Sequence, residues 1–243
     1  MEPDGTAIEQ ITLGEGHDLA PTVLDSGWIA FSRYVVADGP PAIHLYRVRP
    51  DGSGLELLYG ANSHDTGSGE TPVHFLEPRP LEDGRLMSLL RPFTGTEGGG
   101  DLVAIDAEGH VDADRTARGA EAAADAGQTP LTAQEVVTEP GPSPGGRFVG
   151  AWPLDDGTGR LLASWIQCRL EEPDGRVVPC TEESLARDLP PAEPLHGLWV
   201  FDPLEGFDAQ LAVLPDRQFR GCYDVDGDGA REIIVSPAGP GRF

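Results

Sequence analysis

The chain contains no lysine: all 17 of its basic residues are arginine, set against 41 acids, for a formal charge of −24 over 243 residues. A nucleic-acid backbone is excluded as a partner, because its recognition needs clustered positive charge. Solubility is the plain meaning of such acidity, and a dedicated basic partner the sharper one. No run of 18 apolar residues occurs, so no helical membrane span is expected. The opening "MEPDGTAIEQ" carries neither a basic n-region nor an apolar h-region, so no signal peptide is expected there, and the chain reads as a possible excerpt of a longer one. Cys-x-x-Cys-His is missing too, which excludes covalent haem attachment.

What the chain has in quantity is punctuation. Glycine (32) and proline (23) make up more than a fifth of its residues, too much for long helices and suited to short strands with many turns. The length suffices for one large domain or two small ones with a sizeable core.

An internal repeat organises these strands. "APTVLDSGWIAFSRY" from Ala20 matches "EPRPLEDGRLMSLLR" from Glu77, with Pro21 on Pro78 and Gly27 on Gly84 at an offset of 57. At the same offset Leu45 falls on Leu102, Val48 on Ile105 and Gly52 on Gly109. Each unit reads as short apolar strands joined by tight Ser-Gly or Asp-Gly turns. A looser third copy places Pro153, Gly159, Arg160 and Leu161 75 residues after Pro78, Gly84, Arg85 and Leu86. Its later strand "GLWVFD" (197–202) follows "DLVAID" at an offset of 96, so 21 extra residues are inserted and belong on a loop face. A four-stranded sheet of this size cannot bury both faces alone, whereas several packed radially can. The expected fold is therefore all-β: a β-propeller of four-stranded antiparallel blades, partial or small, in a single domain. Its units run over about 17–60, 73–111, 142–215 and a partial 217–243. The alanine-, glycine- and acid-rich stretch 112–141 reads as a flexible excursion with one short helix. "IEQITLGEG" reads as an outer strand that completes the last blade.

In "WIQCRLEEPDGRVVPC", a hairpin turning at Pro173-Asp174-Gly175 sets Cys168 and Cys180 face to face, each six residues from Asp174. A disulfide there closes a short loop, worth roughly 3 kcal/mol, and implies an oxidising compartment; the alternative is two unlinked small hydrophobes. Cys222 has no evident partner.

The run "DLAPTVLDSGWIAFSRY…IHLYRVRPDGSGLELL" resembles the blade of TolB-like propeller proteins, in which a proline-led strand meets an Asp-Gly turn, an "IAF-S" strand and then "LY-V-DG". The longer stretch through "HDTGSGETPVHFLEPRPLEDGRLMSLLRP" is similar to propeller domains related to the hydrazine synthase alpha subunit. The resemblance covers residues 7–111 well and 142–215 loosely. It implies a propeller in an exported, often multidomain, protein, and does not carry over the synthase's haem chemistry.

"CYDVDGDGAREIIVSP" places acids at alternate positions: Asp224, Asp226 and Asp228, then Gly229 and Glu232. An EF-hand would need a bidentate glutamate where Val235 stands, so that site is excluded. The pattern resembles the FG-GAP calcium loops of integrin-like propellers, where an aspartate is commoner at the ninth place. Calcium takes six to eight hard oxygens, which Asp224, Asp226, Asp228, the Ala230 carbonyl and Glu232 would supply. The alternative is an acidic turn holding its charges in water. Such an ion pins a turn and performs no catalysis.

"DTGS", Asp65 to Ser68, spells an aspartic-protease tetrapeptide but lacks apolar flanks and a twin, and reads as chance. His64 and His74 share one loop with Asp65 and Glu70, which would make a metal or ligand site or merely polar surface. Trp28, Trp165 and Trp199 read as strand residues packing between blades. No nucleophile elbow supports a triad. The expected function is a non-catalytic exported module, periplasmic or extracellular, that binds a protein or glycan; the alternative is a subunit or domain of an exported oxidoreductase or hydrolase working at the channel mouth.

Overall fold

The computed structural model describes residues 6, 8–14, 16–36, 41–94, 98–118, 126–132 and 134–203, together with the backbone of 222–223 and 232–233. The described chain is all-β, with antiparallel pairing throughout. The first sheet is a meander of β1 (His17–Val23), β2 (Ile29–Val35), β3 (Ala42–Val48) and β4 (Glu56–Tyr59). The second runs β5 (Val73–Pro80), β6 (Leu86–Pro92) and β7 (Asp101–Ile105), edged by β10 (Gln128–Pro130). Between β7 and β10 lies a small hairpin of β8 (His110–Asp112) and β9 (Arg115–Thr116). The third sheet has β11 (Arg147–Pro153), β12 (Leu161–Ile166) and β15 (His196–Phe201). Among the described residues these sheets do not close into a ring.

The offset of 57 is a structural equivalence. It carries β2 onto β6 residue for residue. Each first strand bulges at the same place, where Ala20 (φ 49°) and Glu77 (φ 52°) adopt left-handed backbone, each just before a matched proline. A bulge leaves one residue out of the ladder, which is where a strand tolerates proline. The hairpin turns repeat too: Gly27 and Gly84, at φ 80° and 85°, donate to Leu24 and Leu81 at 2.8 and 3.0 Å. In the third copy Pro153 stands opposite Leu161 as Pro80 stands opposite Leu86, so its counterpart is Pro80 and not Pro78. The β11–β12 turn is simply two residues longer.

Hydrophobic alternation explains how the sheets stack. On β6, Leu86 and Leu90 join Ala30, Leu45, Tyr59 and Phe75 in a core between the first and second sheets. Met87 and Leu89 point the other way, joining Phe148, Leu161, Trp165 and Trp199 between the second and third. β7 does the same, with Val103 and Ile105 on one side and Leu102 and Ala104 on the other. A strand covered on both faces reads as the near-continuous apolar run "LMSLL". Ser88 sits fully buried within it because its hydroxyl donates to the Leu76 carbonyl at 2.9 Å.

Several expectations are corrected. The stretch 112–141 is not a loose linker: β10 within it is the second sheet's edge strand, so that unit extends beyond residue 111, and no helix occurs among its described residues. Its hairpin stitches the first sheet to the second. The Gly60 amide donates to the Val111 carbonyl at 2.9 Å, and the buried Asp112 carboxylate takes the Asn62 amide (2.7 Å) and the Ser63 hydroxyl (3.2 Å). The opening residues 8–13 form no strand. Trp28 precedes β2 and is clasped by Arg47 and Arg49, whose guanidinium carbons lie 4.8 and 4.4 Å from its ring centroid. Trp165 and Trp199 do pack in the core, edge to face at 5.3 Å.

The insertion in the third sheet is the expected cysteine hairpin, β13 (Arg169–Glu171) with β14 (Val177–Pro179). Cys168 and Cys180 are joined, with their Cα atoms 5.4 Å apart. Contrary to expectation the pair also shares a ladder bond, from the Cys180 amide to the Cys168 carbonyl at 3.1 Å. At the turn end, the buried Glu172 carboxylate pairs with Arg176 and with Arg187, just past the one-turn helix α1 (Glu182–Leu185). The two guanidiniums, Arg176 first, hold that carboxyl below its usual range. No described helix is long and apolar enough to cross a membrane.

Candidate functional site

Strand direction gathers the histidines at one end of the stack. β3 begins near His44, the chain leaves β4 at Tyr59, and β5 begins at Val73, so His44, His64 and His74 meet where the chain crosses between sheets. His64 Nδ1 faces the Val73 carbonyl at 2.5 Å and must carry the proton there. Its Nε2 is then an acceptor, so the facing His44 Nδ1, 3.0 Å away, is protonated and also lies 3.3 Å from the Gly60 carbonyl. His74 Nδ1 accepts the Ile43 amide at 3.2 Å, which leaves its proton on Nε2. Phe93 stacks on His74 with centroids 4.1 Å apart and meets His64 edge-on at 5.4 Å.

All three rings are neutral at neutral pH. Burial lowers each pKa; His74 goes down to about 4, with the neighbouring His64 and His44 adding to the effect. A metal would need the lone pair that His64 spends on His44. Among the described residues no group of three or more histidines, cysteines or acids is arranged to hold an ion. Asp65 and Glu70, grouped with His64 and His74 on sequence grounds, are exposed and join neither ring in a hydrogen bond or ion pair. The cluster is thus an inter-sheet joint. The "DTGS" loop is likewise structural, its Ser68 hydroxyl accepting the Thr138 amide at 2.8 Å.

The next junction uses the same repeat position differently. Gly100, 57 residues after Ile43, exchanges two backbone hydrogen bonds of 2.8 Å with Phe148 at the start of β11. Beside it, burial pushes the Asp101 carboxyl up to about 7, against the Leu102 amide (2.7 Å) and the Thr132 hydroxyl (3.5 Å) that favour its charge.

Comparison with protein-family models, with curated protein sequences and with solved structures gives no match.

At this same end, the third sheet and the cysteine hairpin enclose a cavity of about 270 Å³. One wall is the turn before β11. The Ser143 hydroxyl donates to the Gly146 carbonyl (2.6 Å) and takes the Val137 amide (2.8 Å). Trp165 Nε1 donates to the Gly145 carbonyl at 3.0 Å, and a Cβ on Gly146 would lie 2.3 Å from that nitrogen, so only glycine lets the turn press against the indole. This fixes Arg147, which donates to the carbonyls of Val137 (3.1 Å), Glu139 (2.8 Å) and Gly141 (2.8 Å). The other wall is β13 and the proline run beside it, held by the Ala192 amide on the Arg169 carbonyl at 2.9 Å. Arg169 donates to the Glu193 carbonyl at 2.6 Å.

The residues expected to hold calcium fall elsewhere. Asp224, Asp226, Asp228 and Ala230 lie outside the described residues, and of Glu232 only the backbone is described. β16 (Cys222–Tyr223) pairs antiparallel with β17 (Glu232–Ile233), which brings the two ends of the acidic loop side by side. His44, Arg147 and Arg169 escaped the sequence reading, since each matters through partners far away in the chain or through backbone carbonyls that leave no motif.

Proposed function

We propose that this chain is a non-catalytic, exported binding module of propeller architecture, periplasmic or extracellular, which meets a glycan or protein partner at the end carrying the histidine joint and the disulfide hairpin. The observation that carries the architecture is Arg79. Its guanidinium donates to the carbonyls of Pro78 (3.0 Å) and, across to β1, Ala20 (3.5 Å), and lies over the Trp152 ring of β11 at 4.3 Å. One side chain thus touches the first strand of all three sheets, as convergence on a common axis requires. Leu162 and Leu198, 38% and 43% exposed on the outer face of the third sheet, offer a further sheet its seat. The disulfide supports export. The acidic loop Asp224, Asp226, Asp228, Ala230 and Glu232 binds a structural calcium ion in this reading and pins the hairpin around it.

A second reading, an enzyme acting at the same end, is favoured by Asp101, whose carboxyl titrates near neutrality as a general acid or base does. Both readings are tested on one array of neutral and acidic oligosaccharides, with mass spectrometry of the bound material. Retention of intact glycans is expected. Shortened or oxidised products, lost in Asp101→Asn, favour the enzyme; no retention on any glycan removes that partner class.

A further inference from the structure

We propose that the cavity beneath the disulfide hairpin is a carboxylate-binding site, taking a small monoanionic ligand of the size of one acidic sugar through Arg147 and Arg169. The proposal deepens the binding reading above and rests on it for its glycan partner.

Electrostatics supplies the first argument. In a chain of charge −24, most guanidiniums at the surface find acids: Arg33, Arg47, Arg85, Arg160, Arg176 and Arg187 all form ion pairs. Arg147 and Arg169 line the one cavity described above and pair with no carboxylate among the described residues. Both are held instead by neutral backbone carbonyls of the cavity wall, at Gly141 and Glu193. Carbonyls orient a guanidinium without cancelling its charge. Burial already disfavours the charge of Arg147, so an incoming anion recovers what desolvation took away.

The second argument is an orphan donor. Arg169 Nε is sealed from solvent and has no hydrogen-bond partner. A buried N–H left unmatched is uncommon and marks a place where another group belongs. Nε together with one terminal nitrogen forms the fork that a planar carboxylate accepts bidentately.

Size and lining narrow the ligand. The volume of about 270 Å³ lies just under the lower end for drug-sized ligands, ~300 Å³. Ile166, Pro191 and Pro194 give flat apolar walls, and Gln167 adds an amide for hydroxyl groups. The protein's overall negative field repels a dianion more than a monoanion, which favours a carboxylate over a phosphate.

Isothermal titration at pH 7 with D-glucuronate, D-glucose and glucose 6-phosphate, at low and moderate salt, tests the site. Glucuronate is expected to bind at least tenfold more tightly than glucose, and more weakly as salt rises. Arg169→Gln, whose guanidinium caps only one carbonyl, is expected to lose that preference with its melting temperature unchanged; Arg147→Met is expected to lose it as well, with some loss of stability. Equal binding of glucose and glucuronate, or a preference retained in Arg169→Gln, overturns the proposal. Tighter binding of glucose 6-phosphate overturns the carboxylate assignment. Glycan retention on the array without any glucuronate binding removes this site and leaves the module reading intact, whereas glucuronate binding without array retention does the reverse.

Discussion

Replacing Gly100 by alanine should open the seam between the second and third sheets. A Cβ built there lies 1.8 Å from the Leu90 carbonyl oxygen and 2.7 Å from its carbon, a clash with backbone that no rotamer change relieves. Accommodating the methyl means moving β7 away from β6 or tearing Gly100 from Phe148. The second course breaks two 2.8 Å backbone bonds at about 1 kcal/mol each, and the displaced strand adds the roughly 1–3 kcal/mol of an overpacked core. The expected cost is therefore about 3–5 kcal/mol. Gly84→Ala is the control: φ is 85° and nothing lies within 4 Å of the new Cβ, so only left-handed strain remains, about 1–2 kcal/mol. Gly27, with φ 80° and equally open space, should give the same value as Gly84. Urea unfolding followed by tryptophan fluorescence, which reports the buried Trp165–Trp199 pair, measures all three. A Gly100→Ala variant no less stable than Gly84→Ala would refute the close-packed seam and the equivalence of repeat positions built on it.

The junction between the first two sheets should be acid-sensitive. His74 has its folded pKa lowered to about 4 from 6.5, so its contribution is fully present above pH 6.5 and is lost as the pH falls towards 4, while the unfolded chain takes up the proton first. Because the ring is half-exposed, solvent screening trims the loss to about 1 kcal/mol between pH 7 and 5. His74→Gln, which keeps an acceptor for the Ile43 amide, should flatten that limb in urea titrations; an unchanged slope counts against the joint. Removing the disulfide as Cys168→Ser with Cys180→Ser should cost about 3 kcal/mol in the hairpin, read as faster amide exchange over 169–179, and leave the exchange of β6 and β7 unaltered. Protection of the hairpin equal to that of the parent protein would show that Glu172 and its two arginines suffice without the covalent link.

Local pattern made much of this fold legible. The matched Pro21 and Pro78, the turn glycines and the alternating "WIAFS" and "DLVAID" runs are signatures of bulge, turn and strand, each decided within a few residues. Cys168 and Cys180 were legible for the same reason, because a short hairpin sets its own register. What escaped depends on distance. β10 has three residues, ends in proline and shows no alternation; only its pairing with β7 across the excursion makes it a strand. The histidine joint draws on β3, the crossing loop and β5, and its sequence trace suggested a polar loop with Asp65 and Glu70 instead of His44. Arg147 and Arg169 are marked as a pair by what they lack, a carboxylate partner, and a sequence does not display that.

The stitch formed by the β8–β9 hairpin sets an order on the birth of this molecule. A ribosome releases every ladder of the first sheet some fifty residues before Val111 and Asp112 emerge to engage Gly60, Asn62 and Ser63. Until then those groups answer only to water, and the first repeat, although complete as a meander, waits unfinished. Duplication wrote the chain in units of 57, but the smallest length that can mature by itself overruns that unit, so single copies cannot be cut out, exchanged or added like beads on a string.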